Sequence, residues 1–483
     1  MDSSIAITIG IFLSVCLYFF IALRCQKLNI NPSDFFYSDL KISGLHYGNS
    51  YAGANITFTS IFIFLCSQAT ISGWSTIFAS IFWAIGVILF VILVDKLEIS
   101  FQKGQTLHFF LSELYNNPKL QITASIITIF AFTGTIGIEF LGFSWFLKYF
   151  GVSTQSTIFI GLVLVIMLAI YTIIGGYWAT IKTDFFQVLF TLIGCLLLLS
   201  FFLPIHPKDA NIDHFNNIKV LLNSFSIEQL FYDPPLIMGF AILFIPFQFS
   251  VMDIWQRGVA AGGDKDKIKK YTLCSGLFLS VVFSLPVILG IFAINSKLVN
   301  PAQNDTLFVL VKSLSNPYVI SAIGVMFLAS IFSTADTLLL AAANSAICDI
   351  YSYQNDDSIT AHNINNSKIQ MSTCFYAVLS LSLISLIIFL VAMLPIGISE
   401  LIVAVFSAQS IIGVLIIYAI LFPNKAQIMG KGALYSSILG LIMPIPLVII
   451  GKLVEDNNII NGAPLLSIII AVIILFAYPK DKE

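Results

Sequence analysis

Asp184 is a carboxylate in a segment where an apolar side chain would cost less. It lies about seven residues inside the apolar stretch 178–202, so at 1.5 Å per helical residue it sits roughly 10 Å from the helix start, within hydrocarbon depth. A carboxylate at that depth binds a cation, takes a proton or pairs with a base. Lys182 is the base at hand, but its long side chain can reach water while the shorter aspartate cannot follow it. A second group of oxygens occurs in the run Ser330-Ile331-Phe332-Ser333-Thr334-Ala335-Asp336. Hydroxyl oxygens suit a hard cation, and Ser333 precedes Asp349 by about 16 residues, roughly 24 Å of helix. Serine and threonine also bond back to their own backbone in membrane helices, so the hydroxyls alone leave simple packing open.

The elements that must hold these groups are membrane helices. With 58% hydrophobic residues, 10% charged residues and a mean hydropathy of +0.95, the composition excludes a soluble globule. Apolar stretches long enough to span begin near Ile5, Tyr47, Thr76, Leu120, Ser153, Trp178, Pro235, Tyr271, Tyr318, Ile369, Ile398, Gly432 and Ala463, which predicts about 13 spans. The first follows an acidic rather than a basic start and lacks a small-residue cleavage site, so it is expected to remain as a helix. Seventeen lysines and arginines fall on one side of this topology and six on the other, which places the N-terminus outside and the C-terminus inside. A net charge of −2 with scattered bases gives no footprint for nucleic acid, and the seven cysteines show neither a disulfide framework nor a zinc spacing.

Tyr171, Thr172, Gly175, Gly176, Ala179, Thr183, Asp184 and Gln187 together resemble a signature of the sodium:solute symporter family, which includes the proline permease and the sodium/galactose transporter. The resemblance implies an all-α integral membrane fold with a 5+5 inverted-repeat core, of the kind shared with the leucine transporter. On that reading residues 46–203 and 234–421 are the two repeats of opposite topology, and 1–45 and 422–483 are peripheral, within a single transporter domain 1–483. Spans 2 to 6 start inside and spans 7 to 11 start outside, as inversion requires. The implied function is sodium-coupled import of a small polar organic solute by alternating access, with Na+ as the coupling ion, in a plasma membrane of the bacterial inner type.

The family pattern also assigns residues. Ser330, Ser333 and Thr334 are implied in a sodium site completed by carbonyls from a break in span 2. Two registers compete for that break. Gly53-Ala54-Asn55-Ile56-Thr57 resembles the sugar-transporter form, and Ile71-Ser72-Gly73-Trp74 a stretch of the proline permease. Ser72 lies about 26 residues from His46, roughly 39 Å of helix, which is near the outer surface, so the first register is chosen with Gly53 and Ile56 giving carbonyls. Asp184 is then expected in ion coupling, and Asn55, Thr57 and Ser60 in substrate contact. Phe247, after Pro246, aligns with an inner aromatic gate, although an aromatic in a Phe-rich chain also serves as ordinary packing.

Other polar residues carry less. Glu139 in span 4 departs from the family comparison, and its expected roles are a cationic substrate, a proton, or idle exposure in an outer vestibule. Asp253, Trp255, Gln256 and Arg257 read as interface anchors at the foot of span 7. Asp336 has no assigned role. His46, His108, His206, His214 and His362 all fall in or beside loops, where solvated histidine is expected. The rival classes are a proton-coupled symporter of the same fold, which Asp184 or Glu139 could serve, and a polytopic membrane enzyme or a sensor. An enzyme would show clustered catalytic or metal-binding residues, and a sensor a signalling domain, for which only a few residues follow span 13.

Overall fold

The sequence marks the helix starts with short polar side chains. Ser43, Asn117, Ser153, Asp233, Asp264, Asn316 and Asp456 each accept a backbone N–H at the head of a helix, and Pro118, Pro234 and Pro317 follow where a missing N–H is harmless. The structure, a computed structural model, describes residues 3–202, 214–301, 305–354, 359–393 and 398–478. Among these, all regular structure is helical.

Ten described helices are long and apolar enough to cross a membrane, and two of them are too long for one crossing. Thr154–Leu199 has 46 residues, about 69 Å if straight, yet the hydroxyls of Tyr171 and Thr183 meet at 3.4 Å. The chain therefore folds back between them, at Gly176, whose φ of 52° suits glycine. Gly73, at φ 55°, likewise separates span 2 from Phe78–Gln102, span 3. With these turns and the shorter apolar helix Pro234–Phe244, the described residues make the thirteen spans expected.

Span 1 is Ser3–Cys25, and span 4 is Pro118–Tyr149. Spans 8, 9, 10 and 11 are Lys265–Asn295, Pro317–Ser345, Met371–Ala392 and Ile398–Leu421. Span 12 bends at Pro444, and Asn457–Ala477 is span 13. Span 9 is the axis of the bundle: every residue from Met326 to Ser345 is buried, against spans 1, 4 and the fold-back pair 5 and 6.

Two helices are interrupted at depth. In span 2, Gly44–Asn55 stops at Ile56 (φ −89°, ψ 86°) and Thr57 (φ −90°, ψ 141°), then helix resumes as a wide turn Phe58–Ile63 leading into Phe64–Ser72. The break is thus in the Gly53–Thr57 register, and the Ser72-Gly73 pair makes the outer turn instead. Span 7 breaks after Phe244 at Pro246 and again at Val251 (φ −105°, ψ 116°), before Met252–Ala260. Such breaks release carbonyls and amides inside the protein, which is tolerated only where something replaces the lost bonds.

The connection after span 6 is more ordered than a plain polar loop. Its helices His214–Ser224 and Ile227–Leu230 cover the outer turn, where the Trp74 indole donates to Ser224 (3.2 Å) and Ser75 donates to the Leu230 carbonyl (3.2 Å). The part of that loop carrying His206 and Lys208, and the C-terminal residues with Lys480 and Lys482, lie outside the described residues.

Candidate functional site

Three hydroxyls from successive turns of span 9 face the break in span 2 and the carboxylate of span 6. Ser330 donates to the Ile56 carbonyl, Thr334 donates to the Ala54 carbonyl at 3.1 Å, and Ser333 donates to Asp184 Oδ1. All four side chains are buried, and Asp184 Oδ2 has no hydrogen-bond partner. The spacing of Ser330, Ser333 and Thr334 is what allows this, because residues three and four apart share one helix face. Gly53 fits here for want of a side chain: a Cβ at that position would press into Ser333 Oγ and stand 3.0 Å from Asp184 Oδ1. Its carbonyl shares the Ile56 amide with Ala52, so the carbonyl against Thr334 is Ala54's rather than Gly53's. Ala54 has no polar side chain, so nothing in the sequence marks it.

Beside this cluster lies a partly open cavity bounded by the span 2 and span 7 breaks and by spans 3, 4 and 11. Asn55, Thr57, Ser60 and Phe247 all border it, together with Trp83, Phe244, Phe406, Gln409 and Asp253, and Thr334 borders both cavity and cluster. Asn55 donates to the Tyr51 carbonyl at 2.8 Å, Thr57 Oγ1 has no partner, and the Ser60 hydroxyl is committed to Glu139 at 2.8 Å. Phe247 stands between Trp83 and Phe406, with ring centroids 5.3 and 6.2 Å apart.

Glu139 does not sit in an exposed vestibule. It is fully buried, and its two oxygens accept the amides of Thr59 (2.8 Å) and Ser60 (3.0 Å) at the start of the outer half of span 2. Gly142, one turn further along span 4, lets the two helices approach, since a Cβ there would collide with Thr59 Oγ1. The sequence could not reveal this partner, because the amides are free only when the break is known.

Asp253 and Arg257 are not interface anchors either. Arg257 is fully buried, 2.6 Å from Asp253 and 3.0 Å from Ser50 Oγ, and its charge acts on Asp184. Trp255 and Gln256 are also buried, donating to the Gln105 and Phe36 carbonyls. Nor is His108 a solvated loop residue: it is wholly buried and bridges Asp349 (2.7 Å) and Thr128 (2.8 Å), with Gln121 donating to Asp349 at 3.0 Å. This knot ties the inner end of span 9 to span 4. Among the described residues no group of three or more histidines, cysteines or acids could hold a metal ion, and every cysteine is free.

Interrupted helices around a central oxygen cluster and an adjoining cavity define a secondary transporter of the inverted-repeat class. The sequence model of the sodium:solute symporter family matches residues 35–440, and the chain belongs to that family. Sodium is accordingly the coupling ion, and the protein is a membrane transporter rather than an enzyme. The fold is similar to that of a Na+-coupled sialic acid symporter in a substrate-bound outward-open state, with TM-score 0.76, 16% identity and 99% of each chain covered. It is also similar to MhsT in complex with L-phenylalanine (TM-score 0.54, 12% identity, 90% of this chain and 98% of that one). Mhp1, a nucleobase-cation-symport-1 family transporter in a closed conformation with bromovinylhydantoin, gives TM-score 0.50 at 13% identity over 94% and 98%. No curated protein sequence matches the chain significantly.

Proposed function

We propose that the protein imports a small polar organic solute with sodium by alternating access. Residues 46–203 and 234–421 are read as the two rocking repeats, with 1–45 and 422–483 peripheral, the N-terminus outside and the C-terminus in the cytoplasm of a cell whose plasma membrane is of the bacterial inner type. The observation that carries this reading is the convergence of Ser330, Ser333 and Thr334 on the Ile56 and Ala54 carbonyls and Asp184.

A dehydrated cation is tolerated at depth only where several oxygens replace its water. Here each hydroxyl can turn its proton away and present a lone pair, so the two carbonyls, the hydroxyls and the free Asp184 oxygen supply the replacement. Gly53 and the Ser330 carbonyl complete the set expected from the family. Asn55, Thr57, Ser60 and Phe247 border the solute site, and Thr334 with Ala54 touches both ligands. Sodium thereby fixes the break whose outer half forms a wall of the solute cavity, which makes each ligand strengthen the other.

The test is sodium-dependent thermal stabilisation of the purified protein, at constant ionic strength with choline, in wild type and in the Ser333→Ala, Thr334→Ala double variant. Alanine keeps the helix while removing two oxygens. A sodium midpoint raised by about tenfold or more, some 1.4 kcal/mol, is expected. An unchanged midpoint removes the ion from span 9.

A further inference from the structure

We propose that the solute carries no negative charge, because this chain has placed a carboxylate of its own on each of the helix ends that would hold one. A helix broken at mid-membrane turns the N-terminus of its second half toward the cavity, and such ends attract anionic groups of a substrate. In span 2 that end begins at Phe58, and Glu139 takes it: Oε2 accepts from the Thr59 amide at 2.8 Å, while Oε1 accepts from the Ser60 amide at 3.0 Å and the Ser60 hydroxyl at 2.8 Å. In span 7 the inner half begins at Met252, with Asp253 in its first turn. A solute carboxylate would have to displace the one and face the other.

The walls agree. Among the described residues no lysine, arginine or histidine borders the cavity, and Asp253 is the acid there. Arg257 stands behind it, joined to Asp253 at 2.6 Å and to Ser50 at 3.0 Å, so it is not free to meet an anion. A cation fares little better, since the charge of Asp253 is matched by Arg257 and that of Glu139 is spread over three donors. What remains unanswered is hydrogen bonding: Asp253 Oδ1 and Thr57 Oγ1 are buried without partners. Both suit an N–H or O–H on a flat, uncharged body bordered by Trp83, Phe244, Phe247 and Phe406. The solute class is therefore a neutral heterocycle or amide, and Glu139 is the residue that excludes acids.

This rests on the transporter reading above, and the experiment separates the two. Full-length protein is assayed for thermal stabilisation by benzamide against benzoate, nicotinamide against nicotinate, and uracil against orotate, each in sodium and in choline chloride. The neutral member of a pair is expected to act at about tenfold lower concentration, equivalent to some 1.4 kcal/mol. Carboxylates acting as well as their neutral partners, with sodium dependence intact, overturn this inference and leave symport standing. A neutral preference that ignores sodium supports it and overturns the symport reading instead. In parallel, Glu139→Ala opens the helix end, and its lowered melting midpoint should recover with millimolar propionate but not with propionamide. A variant that propionate leaves unrestored overturns the role given to Glu139, whether or not any of the six compounds binds.

Discussion

The Ser333 hydroxyl donates to one oxygen of Asp184, and the other oxygen of that carboxylate has no partner. Spans 6 and 9 are thus joined at their centres by a bond that uses half of what Asp184 offers. A buried carboxylate left so is expensive, and a cation is the ligand that relieves it.

Asp184→Asn should therefore insert and fold while losing ion affinity. The amide preserves shape, but charge-assisted bonds to a carboxylate are worth about 1.5–3 kcal/mol, so the sodium midpoint should rise by roughly ten- to a hundredfold. Thermal stabilisation across a sodium titration reads this. Wild-type sodium dependence in the variant would end the role of Asp184.

Gly53→Val should abolish sodium response without removing a ligand atom. Its added carbons would drive span 2 away from Ser333 and Asp184, since even a Cβ meets both. Overpacking of this kind costs about 1–3 kcal/mol. The check is the sodium midpoint together with monodispersity in detergent; a monodisperse variant with a normal midpoint contradicts the close approach.

Arg257→Ala should be the most damaging single change. It leaves Asp253 buried beside the cavity with no countercharge, a loss of about 3–5 kcal/mol. The double variant Asp253→Asn, Arg257→Gln removes both charges and should recover much of the melting midpoint. If the double falls as far as the single, the ion pair is not what holds the inner half of span 7.

His108→Ala should lower the melting midpoint while leaving sodium affinity close to wild type. The ring bridges Asp349 and Thr128 at the inner end, roughly 24 Å of helix from the ion cluster, and unsatisfied partners there cost about 1–3 kcal/mol. A large change in sodium midpoint would show that the knot reaches the cluster.

Much of the candidate site is legible in the sequence. Asp184 announces itself by depth, and the Ser330, Ser333, Thr334 spacing puts three hydroxyls on one face. The depth of Ser72 excluded one register of the break. Three things were hidden, each for a physical reason. The Ala54 carbonyl has no side chain to advertise it. Glu139 and the Thr59 amide lie 80 residues apart, and the amide is free only because the helix stops at Thr57. Arg257 and His108 look like surface residues in a linear reading because each stands beside a charged or loop segment; only tertiary packing buries them.

Span 1 carries exposed Phe12 and Leu13 on one side and wholly buried Tyr18 and Ala22 on the other, with the Tyr18 ring 5.6 Å from Phe332 of span 9. Asn29, just after it, donates to the Ile174 carbonyl beside the fold-back at Gly176. Those partners are synthesised much later than span 1. At about 5–20 residues per second, roughly 300 residues separate Tyr18 from Phe332 by some 15–60 seconds. During that interval the newborn first helix lacks the packing that Phe332 will give the Tyr18 ring. The first helix to be made therefore completes its packing only after eight further spans have been translated.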